Sequence, residues 1–158
     1  PDVRTGGATR VNAAYSGVNP LALLSDPLPA APRDAAVFRF TERNLRALRA
    51  HVAAAAAALG FGFDRTGDVV LAVDEVATNS YRYGGGSGTL RTWASGGGLV
   101  CDVRDGGRFS DPLVGRRRPS SDRIGGRGLW IANQLCDLVQ VRSSGEGAVV
   151  RLYARATP

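Results

Sequence analysis

The sequence predicts an α/β fold: a two-layer α/β sandwich with a mixed, mostly antiparallel sheet and helices on one face. Three observations predict it. Three separate stretches read as helices, the first on apolar residues at helical spacing. Two pairs of strand-like runs are joined by short Gly/Ser-rich links, as hairpins are. The resulting order is strand, two helices, hairpin, long loop, helix, hairpin, with no internal repeat.

Residues 1–35 read as a linker or the remnant of an upstream segment. Gly6-Gly7 and the prolines at 20, 27, 29 and 32 punctuate them, with little periodicity. The domain then spans 36–158. Residues 37–40 form a first strand, and Thr41 is the N-cap of a helix running to Leu59 on Leu45, Leu48, Val52 and an alanine run. Arg43, Arg46 and Arg49 recur on it as a solvated or partner-binding face. Residues 60–68 form a turn. A second helix runs from Asp68 to Tyr83, stopped by Gly84-Gly85-Gly86. Residues 89–94 and 99–104 make a hairpin. The stretch 106–126 has no period and is rich in Gly, Arg, Ser and Pro; loops of that length are commonly functional or disordered. A third helix runs from Gly128 to about Cys136, and residues 138–142 and 149–154 make the last hairpin.

Composition narrows the chemistry. The 158 residues suffice for one domain with a sizeable core, and 44% hydrophobic with 22% charged is ordinary for a globular chain. No apolar run approaches a membrane span, and no signal peptide opens the chain, so a cytoplasmic location is expected. A start at Pro1 in a chain without methionine points to a piece of something longer. All 20 basic residues are arginine, mostly dispersed, so the net charge of +6 reads as compositional bias rather than as a nucleic-acid surface. Without lysine there is no Schiff base, no P-loop lysine and no kinase-type strand lysine. Cys101 and Cys136 lack metal-type spacing and read as buried thiols; the lone His51 cannot build a zinc site.

Three segments carry chemistry. In the second helix, Glu75, Thr78, Asn79 and Arg82 stand on one face at i, i+3, i+4 and i+7, amid apolar residues that nearly encircle the rest. Polar groups in such a helix face either solvent or a wet, ligand-holding pocket. In Asp105-Gly106-Gly107, a strand ends in a carboxylate able to accept from an exocyclic amine, beside glycines that let a flat ring approach; a plain Asp-Gly turn reads the same way. In Gly125-Gly126-Arg127-Gly128-Leu129, a Gly-rich start opens a helix whose free N–H groups suit an anion. No βαβ unit surrounds it, which excludes a dinucleotide fingerprint.

Taken in this order and spacing, the segments resemble the GHKL ATPase superfamily of gyrases, heat-shock chaperone ATPases, histidine kinases and mismatch-repair ATPases. Asp74-Glu75-Val76-Ala77-Thr78-Asn79-Ser80-Tyr81-Arg82-Tyr83-Gly84 resembles its N-box, Asp105-Gly106-Gly107 its first glycine box and Gly126-Arg127-Gly128-Leu129 its second, with residues 108–125 as the ATP lid. The match covers about residues 35–155. Within the superfamily, Ala72-Val73-Asp74-Glu75 with Thr78-Asn79 looks most like the bacterial anti-sigma-factor serine/threonine kinases. The resemblance implies ATP and Mg²⁺ as cofactors. It implies Asn79 as the Mg²⁺ ligand and Glu75 as the catalytic base. It implies Asp105 as the adenine reader, Gly107, Gly126, Arg127, Gly128 and Leu129 as nucleotide contacts, and Arg82 at phosphate. Arg116, Arg117 and Arg118 are either phosphate or partner clamps or solvated loop charges. Two departures stand out: Ala148 replaces a threonine near the adenine, and Arg108-Phe109 replace a third glycine.

The function so implied is phosphorylation of a small anti-sigma antagonist protein, with or without sequestration of a sigma factor. No membrane or nucleic acid is a direct partner, and a homodimer is an admitted assembly. The alternative is a non-catalytic nucleotide- or partner-binding regulatory module, against which an intact Glu75 argues. A histidine-kinase catalytic half would need a phosphoacceptor histidine on a separate helical hairpin, and His51 lies inside the domain's own first helix.

Overall fold

The computed structural model describes residues 2–5, 8–11, 26–111, 113–119 and 127–157. Strands β1 (Asp2–Thr5) and β2 (Ala8–Val11) pair antiparallel as their own two-stranded sheet, inside the stretch the sequence presents as linker. The main sheet has five strands: β3 (Ala36–Thr41), β4 (Ser87–Ser95), β5 (Gly98–Asp105), β6 (Leu138–Ser144) and β7 (Gly147–Arg155). Their spatial order is β3-β4-β5-β7-β6, and every pairing is antiparallel. Helices α1 (Leu45–Ala58), α2 (Phe63–Tyr83) and α3 (Gly128–Leu135) pack on one face. The expected α/β class stands, and the sheet is antiparallel throughout the described strands.

The core follows from the two periodicities. On α1, Leu48, Val52 and Ala56 are fully buried; on α2, Val69, Ala72, Val73, Val76 and Ala77 are. They meet Leu90, Cys101, Val103, Val150 and Leu152, which alternate along β4, β5 and β7 and share one sheet face. β5 is central and is buried from Gly98 to Val103 on both faces.

Two helix starts differ from the sequence reading. Thr41 opens a 3-10 turn over Glu42–Asn44 before α1 begins at Leu45; the Thr41 N–H donates to Asn44 Oδ1 at 2.8 Å. Residues 60–68 are only partly turn, because α2 starts at Phe63 with extended Gly62 as N-cap. The apolar signal misses this first turn because Phe63 is 93% exposed and Gly67 sits within the helix.

That extra turn is anchored. Arg65 donates to the Leu135 carbonyl at 2.6 Å, to Asp137 Oδ2 at 2.6 Å and to the Arg155 carbonyl at 3.0 Å, tying α2 to the end of α3 and to β7. Burial pulls the Asp137 carboxyl upward, but the Arg155 N–H and the Arg155 and Arg65 guanidiniums outweigh it and hold the group below its ordinary value. A carboxylate with a depressed folded pKa adds stability above its unfolded value, lost as pH falls through the folded one.

The outer sheet face carries a charge cluster. Asp102 is wholly buried and accepts from Arg151 Nε at 3.1 Å, from Arg151 Nη2, and from Arg104 Nε at 3.1 Å. Arg151 lies over the Trp93 ring, 5.0 Å from its centroid. Residues 26–32 cross this face: the Pro29 carbonyl accepts from Arg151 at 2.9 Å and the Asp26 carbonyl from Arg142 at 2.7 Å.

Cys101 is buried and Cys136 half-buried, with no disulfide. Burial pushes both thiols upward, Cys136 to about 12, so both stay protonated at neutral pH. A thiol-disulfide exchange reagent at pH 8 is therefore expected to label neither in the folded chain and both after denaturation. Rapid labelling of Cys101 in the folded chain would contradict this packing.

Candidate active site

α2 carries the polar stripe to the sheet. Arg49 of α1 pairs with Asp74 at 3.0 Å, fixing the helix one residue before Glu75. Glu75, Thr78 and Asn79 are half-buried. Among the described residues, neither the Glu75 carboxylate nor the Asn79 carboxamide has a hydrogen-bond partner within the protein. A half-buried carboxylate and carboxamide without protein partners remain open to water or to a ligand.

The C-terminal end of α2 is joined to the end of β5. The Gly84 N–H donates to the Ser80 carbonyl at 2.7 Å, and the Gly106 N–H donates to the Gly84 carbonyl at 3.0 Å. A Cβ on Gly84 would lie 2.5 Å from Asp105 Cγ and 2.6 Å from the Ser80 carbonyl oxygen, so the Asp105 carboxylate occupies the space that a side chain would fill. Asp105 Oδ1 accepts the Gly107 N–H at 2.7 Å. That bond closes an Asx turn and fixes the carboxylate's orientation. Gly84→Ala is accordingly expected to cost about 1–3 kcal/mol, the usual penalty of overpacking, because the Ser80 carbonyl cannot swing away. Urea unfolding of the variant measures it, and an unchanged midpoint would contradict this close packing.

A cavity of about 370 Å³ opens between α2, the β5–β7 ends and α3. Asn79, Ser80, Asp105 and Arg108 give it polar groups; Val76, Phe109, Val114, Leu129, Ala148 and Val150 make the walls apolar. Such a concave, mostly apolar site with a few placed polar groups suits a small organic ligand. Beside it stands the start of α3. A Cβ on Gly128 would lie 2.7 Å from Glu75 Oε2 and 2.9 Å from Asn79 Nδ2, so the glycine admits both side chains against the helix start.

The described residues within 109–116 are tied to their neighbours at three points. Gly115, at φ +79°, packs on the Leu129 backbone, where a Cβ would come within 2.8 Å of its carbonyl carbon. Arg116 donates to the Val139 carbonyl at 3.0 Å, which occupies it structurally. Ser143 Oγ accepts the Phe109 N–H at 3.1 Å.

The structure thus brings Asn79, Asp105, Gly107 and Leu129 to one cavity, with Glu75 and Gly128 in contact at its edge. Arg82 is exposed on the last turn of α2, away from the cavity lining. Arg127 is exposed just before α3 and lines a separate cavity with Arg118, Pro119 and Trp130. Gly126 lies outside the described residues. Sequence reasoning gave no site role to Ser80, Tyr83 and Gly84, though they fall in the N-box run, and missed Val114 in the lining. Ala148 and Phe109, noted only as departures from a pattern, both line the cavity.

The family description "Histidine kinase-like ATPase domain" matches this chain over residues 38–154. No curated protein matches it. Among solved structures, the chain is similar to the RsbU and RsbW domains of Rv1364c from Mycobacterium tuberculosis, at 19% identity and a TM-score of 0.55. That alignment covers 76% of this chain and 32% of the other, so the two share the fold over about a third of the longer protein. With the Glu75–Asn79 stripe, the Asp105 turn and the Gly128 helix start in these places, the chain belongs to the histidine kinase-like ATPase domain family.

Proposed function

We propose that the chain binds Mg-ATP in the 370 Å³ cavity and transfers a phosphoryl group to a serine or threonine of a small antagonist protein in a sigma-factor pathway, with sigma-factor sequestration as its companion activity. The observation that carries this reading is the unpartnered Glu75–Asn79 pair lodged against Gly128 at the cavity's edge.

The residues present fit the cofactor. Apolar walls with the fixed Asp105 carboxylate suit a flat base bearing an exocyclic amine, and Gly84, Gly107 and Gly128 leave the approach clear of Cβ atoms. Among the described residues, no cluster of three or more His, Cys, Asp or Glu is placed to hold a metal by itself. The Asn79 carboxamide oxygen would give Mg²⁺ a hard protein ligand, and a cation that dehydrates reluctantly would draw its remaining ligands from phosphate and water. When bound, Mg-ATP supplies the phosphoryl group and the charge neutralisation that its transfer requires.

The chain's own work is positioning and proton handling. Asp105 orients the base. Gly128 lets the first turn of α3 close on the site with its free N–H groups, which favour an anion. Glu75, half-buried and unpaired, accepts the proton of the attacking hydroxyl. The serine/threonine assignment and the sigma-pathway partners rest on the N-box resemblance, supported by fold likeness to an RsbW domain. The chain acts in the cytoplasm on this reading.

Incubation with γ-labelled ATP and candidate antagonist proteins tests it. Acid-stable phosphoserine or phosphothreonine on the partner is the expected result. Acid-labile phosphohistidine would overturn the assignment, and tight nucleotide binding without transfer to any candidate would favour a non-catalytic regulatory module.

A further inference from the structure

Residues 26–32 contain Pro27, Pro29 and Pro32. Proline fixes φ near −65° and removes the N–H, so such a segment favours polyproline II, with three residues per turn and carbonyls free to accept. The contacts show that period. The carbonyls of Asp26 and Pro29, three residues apart, accept from Arg142 and Arg151. Leu28 and Ala31, also three apart, are half-buried, while Pro27, Pro29, Ala30 and Pro32 are exposed.

The receiving surface is the outer sheet face. Strand register puts Arg39, Arg104 and Arg142 in one cross-strand row and Arg91, Asp102 and Arg151 in the next. Trp93 lies beneath Arg151, and Arg91 Nε is a buried donor without a partner. Guanidinium donors beside an aromatic ring match the needs of an extended proline-rich ligand, whose main chain offers an acceptor but no donor at each proline.

We infer that the outer sheet face is a recognition surface for a polyproline II segment, occupied by this chain's own residues 26–32. The inference does not depend on nucleotide binding. It makes this segment a ligand of the domain rather than a spacer. The strands that hold it are β6 and β7, and β7 also presents Ala148 and Val150 to the cavity.

The test uses the full chain with Trp130→Phe, which leaves Trp93 as the sole tryptophan, with and without Leu28→Gly plus Pro29→Gly. Circular dichroism verifies that both fold; the glycines replace half-buried Leu28 and exposed Pro29, in a segment outside any helix or strand. The glycine variant is expected to show shifted Trp93 emission, because Arg151 loses its Pro29 contact. A synthetic peptide of residues 26–34 should restore the parent spectrum saturably, and bind the variant about tenfold or more tighter than the parent, whose tethered segment competes at high effective concentration. A scrambled peptide should do neither. Identical emission in parent and variant, equal peptide affinity for the two, or equal restoration by the scrambled peptide would each overturn the inference.

Discussion

Glu75→Gln is expected to lower phosphoryl transfer by about 10²–10⁴-fold, the usual contribution of a positioned general base. The change keeps the side chain's size and its contact with Gly128, so the cavity and the fold remain. It removes only the ability to take a proton. Glu75 also stands outside the cavity lining proper, so Mg-ATP affinity should be nearly unchanged. The combination, lost turnover with retained binding, is what distinguishes a base from a nucleotide ligand. Single-turnover transfer from labelled ATP measures the first part and nucleotide titration the second. Equal loss of both would place Glu75 among the nucleotide or metal ligands instead. Transfer at the parent rate would remove it from the chemistry.

The largest effect on stability is expected at Asp102→Ala. Asp102 is wholly buried, and Arg151 beside it is nearly so. Deleting one member of a buried pair leaves the other charged and desolvated, which costs about 3–5 kcal/mol. The loss is read from urea unfolding. Substituting both together, Asp102→Leu with Arg151→Met, should recover much of it, since apolar residues of similar volume often replace a buried pair at little cost. The single variant should lose a substantial part of the chain's margin, because domains of this size have only about 5–15 kcal/mol in total. An Asp102→Ala variant as stable as the parent would mean that water reaches the cluster.

The parts of the fold that were legible in the sequence are those governed by local rules. The α2 stripe could be read because helical spacing alone puts Glu75 and Asn79 on one face. The two hairpins could be read because alternation and Gly/Ser links act within a few residues. The first turn of α2 was hidden because Phe63 faces solvent and Gly67 is a poor helix former; Arg65, bonded to residues 70 to 90 positions away, holds it. The Asp102–Arg151 pair was hidden for the same kind of reason. Its members lie 49 residues apart, and only the β5–β7 register makes them neighbours.

The site divides along the same line. Asp105-Gly106-Gly107 reads from sequence as a turn, but the need for Gly84 opposite it appears only when the two segments meet. The three arginines at 116–118 look alike in sequence. The fold separates them: Arg116 bonds to the β6 backbone, whereas Arg118 lies over Trp130, 5.6 Å from the ring centroid. Arg82 resembles a phosphate ligand by position, yet it projects from the exposed side of the last turn.

Calorimetric titration of Mg-ATP into the parent chain and into Asn79→Ala tests the central claim most directly. The account predicts saturable, Mg²⁺-dependent binding to the parent. It also predicts a loss of about 1–3 kcal/mol in the variant, as for a ligand whose hydrogen-bonding or coordinating group is removed. Folded parent chain that takes up no ATP at millimolar nucleotide, or Asn79→Ala that binds Mg-ATP as the parent does, would contradict it.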